Sequence, residues 1–161
     1  MIFSQQTRRI VKYVGTAAVA GLMVGVFATP AQSGQVNTGY FGNVAIEGYD
    51  TVAYFTDKKP IKGSELFSYN WLGATWYFAN DEHRRLFAAS PISYAPQYGG
   101  FCADGVSDGN GHAQTNIEPT TWQIVNGKLY LAASAEFANP PLPRDIGDKN
   151  WLKIKAALLT Q

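Results

Sequence analysis

The run Trp122-Gln123-Ile124-Val125-Asn126-Gly127-Lys128-Leu129-Tyr130-Leu131 limits the fold more narrowly than any other stretch of the chain. Two short β-prone segments flank Asn-Gly, the pair that best tolerates positive φ at both centre positions of a tight hairpin turn. A two-residue turn sets Trp122 opposite Leu131 and Ile124 opposite Leu129, which gives the ribbon one apolar side. Phe67-Ser68-Tyr69-Asn70-Trp71 and Ala74-Thr75-Trp76-Tyr77-Phe78 repeat the pattern around Leu72-Gly73 and predict a second hairpin. Val52-Ala53-Tyr54-Phe55, closed by Asp57-Lys58-Lys59-Pro60, reads as a short buried strand and a turn.

Helical signals fall between and after these ribbons. Asn80 or Asp81 is placed to cap a helix running to about Ala89, with His83, Leu86 and Phe87 on one face. Ser90-Pro91 opens a second helical segment, which Pro96 is placed to break. Residues 99–119 are glycine-rich and read as the least regular stretch. Asn139-Pro140-Pro141-Leu142-Pro143 reads as a stiff connector. From Asp148 a last helix carries Trp151, Ile154 and Leu158 inward, with Lys149, Lys153 and Lys155 mostly toward solvent. The fold class expected is α+β: small antiparallel hairpins with packed helices in one domain, without internal repeats.

The first 33 residues read as an export signal. Arg8, Arg9 and Lys12 precede an uncharged stretch from Tyr13 to Ala28, and Ala31-Gln32-Ser33 forms a small-x-small cleavage site. The uncharged stretch is shorter than the ~20 residues that span a bilayer. Thr7-Arg8-Arg9-Ile10-Val11-Lys12 is similar to the twin-arginine type of signal. The expected location is therefore periplasmic or secreted, with no membrane association once residues 1–33 are removed. Removal takes three of the 13 basic residues and none of the 12 acidic ones, so the domain at 34–161 carries a net −2. It also removes both methionines, which excludes a Met-rich copper surface. With 14% aromatic residues and nearly balanced charge, the chain is neither a disordered segment nor a nucleic-acid binder.

Cys102, His83 and His112 are the remaining strong nitrogen or sulfur donors. Cys102 follows Tyr98-Gly99-Gly100-Phe101, a turn able to aim backbone N–H groups at a thiolate; equally, a lone cysteine between Phe101 and Ala103 suits a buried apolar position. His83, among Asp81, Glu82, Arg84 and Arg85, reads first as a surface residue on a solvated face. His112 lies ten residues beyond Cys102, across a loop that could fold back onto it. One Cys with one or two His would suit copper, or less readily zinc, if an aspartate or water completed the shell. Cys102 and His112 could also pair as a nucleophile and base, although nothing orients the base. Asp104, Asp108 and Asn110 lack the spacing of a calcium loop, and no Gly-Lys-Ser/Thr follows the glycines of 105–111 as a phosphate loop requires. No residue is assigned a catalytic role.

Gly48-Tyr49-Asp50-Thr51-Val52-Ala53-Tyr54-Phe55, Trp76-Tyr77-Phe78, Tyr94-Ala95-Pro96-Gln97-Tyr98-Gly99-Gly100-Phe101-Cys102-Ala103 and Gly127-Lys128-Leu129-Tyr130-Leu131 occur in that order. This series resembles the long, exported form of the YHS domain-containing proteins, over nearly all of residues 34–161. The resemblance implies a treble-clef-like core related to short metal-binding modules, whose ligand positions fall at Ala53, Ala79 and His83, with Phe87 as closing aromatic. Two of those positions cannot ligate, so any metal would use Cys102 with other partners. The expected function is a periplasmic metal-binding or metal-homeostasis accessory protein, copper favoured, acting with a metal ion or a periplasmic partner protein. The alternatives are a metal-free small-ligand or protein-interaction module and a cysteine-dependent redox enzyme.

Overall fold

The computed structural model describes residues 35–39, 42–109, 117–135 and 144–158. The expected signal segment, His112 and the proline-rich connector lie outside the described residues. The α+β architecture is as expected. Strands β1 (Ser64–Trp71) and β2 (Ala74–Phe78) form one antiparallel ribbon, and β3 (Trp122–Val125) and β4 (Lys128–Leu131) a second. Helices α1 (Ala53–Thr56), α2 (Asp81–Ala89), α3 (Pro91–Tyr94), α4 (Ala103–Ser107) and α5 (Arg144–Leu158) pack around them.

The β3–β4 ribbon keeps the register read from its turn, and the β1–β2 hairpin forms as expected. Trp122 pairs with Leu131 and Ile124 with Leu129, around Asn126 (φ 52°) and Gly127 (φ 73°). Leu72 (φ 50°) and Gly73 (φ 75°) make the same kind of turn between Trp71 and Ala74. A bulge between Ser64 and Ser68 shifts the register of β1 and leaves Leu66 exposed.

Three local expectations change. Residues 53–56 form a helical turn rather than a strand, because the Asp50 side chain accepts the Val52 and Ala53 N–H groups (2.9 and 3.2 Å) and so starts a helix. Four apolar residues fit a buried strand and a buried turn equally well. The stretch read as irregular contains α4, whose last carbonyls, those of Val106 and Ser107, accept from the Asn150 amide of α5 (3.1 and 2.9 Å). That support comes from 43 residues away and leaves no local signal. Helix α5 begins at Arg144, four residues before Asp148. Gly147 is where it crosses the body of the domain: a Cβ there would stand 2.5 Å from Tyr98 Oη and 2.9 Å from Ser107 Oγ.

Two apolar clusters share the interior. Phe87 of α2 is the hub of the larger, with ring centroids 5.0 Å from Trp76, 5.1 Å from Phe78 and 5.6 Å from Trp71. The smaller joins Tyr98, Phe101, Val106, Tyr130 and Ile154, with Trp151 packed against it. It fastens α5 to the segment 98–106.

Candidate functional site

His83 is not the solvated residue that its charged neighbours suggest. It is buried on the inner face of α2, and its Nδ1 lies 2.6 Å from Oδ2 of the fully buried Asp50. A carboxylate oxygen has no proton to give, so Nδ1 donates. The helix periodicity that grouped His83 with Phe87 outweighs the local charges: Asp81 holds Arg84 and Arg85 outside (2.6 Å each) while the imidazole turns in. Asn80 is the cap, its Oδ1 accepting from the His83 N–H at 2.8 Å. On the far side of the ring, Nε2 lies 3.3 Å from Thr56 Oγ1 and 3.5 Å from Asp57 Oδ2.

Asp50 gathers more than the histidine. Its Oδ1 accepts from the Val52 and Ala53 N–H groups, and its Oδ2 from Ala79 N–H (2.8 Å) as well as from His83. Ala53, Ala79 and His83 are the positions that the YHS resemblance equates with the ligands of the short modules. All three converge here on one carboxylate. Two alanines and an imidazole whose Nδ1 is engaged do not fit a metal centre, and the carboxylate is placed to organise the same three segments through hydrogen bonds. Asp50 and Asp57 approach opposite ring nitrogens, so they cannot share an ion with the imidazole between them. Among the described residues, no group of three or more His, Cys, Asp or Glu side chains could hold a metal ion.

The aligned Asp50, His83 and Thr56 side chains do not make an activated hydroxyl. Thr56 Oγ1 also lies 2.6 Å from Asp57 Oδ2, and this carboxylate competes for its single proton. Cys102, the residue on which the metal and redox expectations both turn, is 1% exposed and belongs to the larger apolar cluster. It immediately precedes α4, with its side chain packed as a small hydrophobe.

A concave feature lies elsewhere. A cleft of about 190 Å³ opens between the β1–β2 turn, the segment 95–99, residues 35–36 and helix α5. Half-buried Trp71 and Trp151 line it together with Trp76, Pro96 and Tyr98, and Gln35, Gln97 and Lys155 add polar groups. The Trp76 ring N–H bonds to the Trp71 carbonyl (3.1 Å), which fixes that wall. Tyr98 (φ 55°) and Gly99 (φ 64°) are consecutive left-handed residues, and strain at a non-glycine residue of this kind recurs at ligand sites. The Tyr98 hydroxyl bonds to Asp148 (3.0 Å), tying this strained turn to α5. Lys155, expected to face solvent, is half-buried and lines the cleft instead. The sequence shows the tryptophans but not their convergence, since the walls come from four separate segments.

Beneath α5, Asp104 of α4 is buried and its Oδ2 has no hydrogen-bond partner among the described residues. Burial, with a smaller contribution from Asp108, raises its pKa from 3.8 to about 6. The unfolded chain therefore loses this proton before the folded one does. The contribution of this carboxyl to stability falls as pH rises from about 4 through 6 and is flat above that. Asp104→Asn removes the loss: the variant is expected to be more stable than the wild type by about 2 kcal/mol at pH 7.5, roughly 5 °C in thermal midpoint. At pH 4 it should show no gain. Thermal melts of both proteins across this range check the crossover.

Comparison with known proteins finds no family model, curated protein or solved structure that matches this chain.

Proposed function

We propose that this protein is a non-catalytic binding module that holds a small, largely apolar ligand in the aromatic cleft. The observation that carries this reading is the cleft itself: tryptophans from β1 and α5 face one space, with a few polar groups at its edge. Ligand sites have this composition, and at about 190 Å³ the cleft is smaller than the roughly 300–1,000 Å³ of drug-sized sites. It suits a molecule of one or two rings. Thermal melts of the full chain with a panel of such compounds test it. A ligand present at 100 times its Kd should add about 2.7 kcal/mol to stability, and Trp151→Ala should abolish the shift. No shift with any compound would sink the reading.

The resemblance to exported YHS proteins, with its treble-clef-like core and periplasmic location, supports a second reading: a copper-binding or, less readily, zinc-binding accessory protein centred on Cys102. It rests on the Tyr94–Ala103 run and the amino-terminal export pattern. Adding Cu(I), Cu(II) or Zn(II) to wild type and Cys102→Ala separates it from the first. Metal retained by the wild type alone, with a raised midpoint, would favour it over the cleft.

A further inference from the structure

We infer that the cleft selects a small planar carboxylate, with the Lys155 ammonium as its charge partner. This rests on the cleft being a ligand site and adds the chemistry of what enters it. Lys155 is the sole charged side chain among the described residues that line the cleft. It is half-buried, and no carboxylate pairs with it among the described residues. Asp148, two turns earlier on α5 and the nearest acid of that helix, is engaged by the Tyr98 hydroxyl.

A space lined by tryptophans would otherwise favour a cation, drawn to the negative faces of the rings. A lysine in the lining reverses that preference. It repels a second cation and attracts an anion, most strongly where the surrounding rings exclude water. Indole faces favour a flat ring system, because stacking needs extended contact on both partners. Gln97 lines the same space, and a glutamine amide carries N–H donors of the kind a carboxylate accepts. Shape and charge thus select the same class, a one- or two-ring aromatic acid.

The test is calorimetric titration of the full chain with three probes of one shape: 2-naphthoate, 2-naphthamide and 2-naphthylmethylammonium. The acid is expected to bind at least tenfold more tightly than the amide, and the ammonium most weakly. Lys155→Met should reduce the acid to the affinity of the amide and leave the amide unchanged, while Lys155→Arg keeps the difference. Raising the salt concentration should weaken the acid alone. Equal binding of acid and amide by the wild type, tightest binding of the ammonium, or loss of the amide together with the acid in Lys155→Met would each overturn the charge assignment and leave the cleft a ligand site. Binding of none of the three would overturn the carboxylate assignment, while the cleft as a ligand site stands or falls with the wider panel of compounds.

Discussion

Asp50→Ala is expected to be the most damaging single substitution in the domain, lowering the unfolding free energy by about 4 kcal/mol or more. The carboxylate is fully buried and accepts four hydrogen bonds, from Val52, Ala53, Ala79 and His83. Alanine leaves three backbone N–H groups and an imidazole with their acceptor gone. Each orphaned buried donor costs roughly 1–3 kcal/mol, and a domain of this size has only about 5–15 kcal/mol in hand.

Asp50→Asn separates this account from simple loss of packing. The amide keeps the shape and one acceptor oxygen, so the start of α1 can keep its bonds to that oxygen. The amide NH₂ then faces Ala79 N–H and His83 Nδ1. Imidazole can shift its proton and accept; a backbone N–H cannot. One donor is left opposed, and the expected loss is about 2 kcal/mol, near half that of alanine. His83→Ala should also cost less than Asp50→Ala, because the carboxylate keeps its three backbone donors. Urea unfolding of the three variants measures the order. If Asp50→Asn were as stable as the wild type, the carboxylate would not be the organising group. This one carboxylate joins α1, the β2–α2 connection and α2.

The parts of this fold that were legible in the sequence are those whose cause is local. Asn126-Gly127 and Leu72-Gly73 set two hairpins in register because the turn geometry itself fixes which residues face each other. Asn80 marks the start of α2 because a cap acts within three residues. His83 shows where such reading fails. Charges on both sides argued for solvent, yet a buried acid 33 residues away decides its position. Helix α4 leaves no local signal for the same reason, its C-terminal carbonyls being met by Asn150 from α5. Cys102 is the sole thiol, and rarity in composition says nothing of which atoms surround it. The cleft was the least legible feature of all. Trp71 and Trp151 are 80 positions apart, and only their packing makes one site of them.

Gly99→Ala is expected to cost about 3 kcal/mol and to abolish binding in the cleft, through backbone rather than side-chain contacts. Gly99 has φ 64°, and a Cβ at that position would lie 1.9 Å from the Gln35 carbonyl oxygen and 3.3 Å from Val36 Cα. Neither is the yielding tip of a side chain, so residues 35–37 would have to move. That segment is held by the Asn37 N–H on the Gly99 carbonyl (2.8 Å) and by the Asn37 amide on the Gly100 carbonyl (3.0 Å). Moving it breaks both bonds and withdraws Gln35 and Val36 from the cleft wall. Gly127→Ala is the control. Its φ is 73°, but nothing stands within 4 Å of an added Cβ, so only the left-handed strain remains, about 1 kcal/mol. The difference between the two variants isolates the close approach from the conformational cost. Only Gly99→Ala should lose the naphthoate affinity, because the β3–β4 turn contributes nothing to the cleft lining. Equal losses of stability in the two variants would mean that residues 35–37 do not pass over Gly99, and the wall they form would not exist.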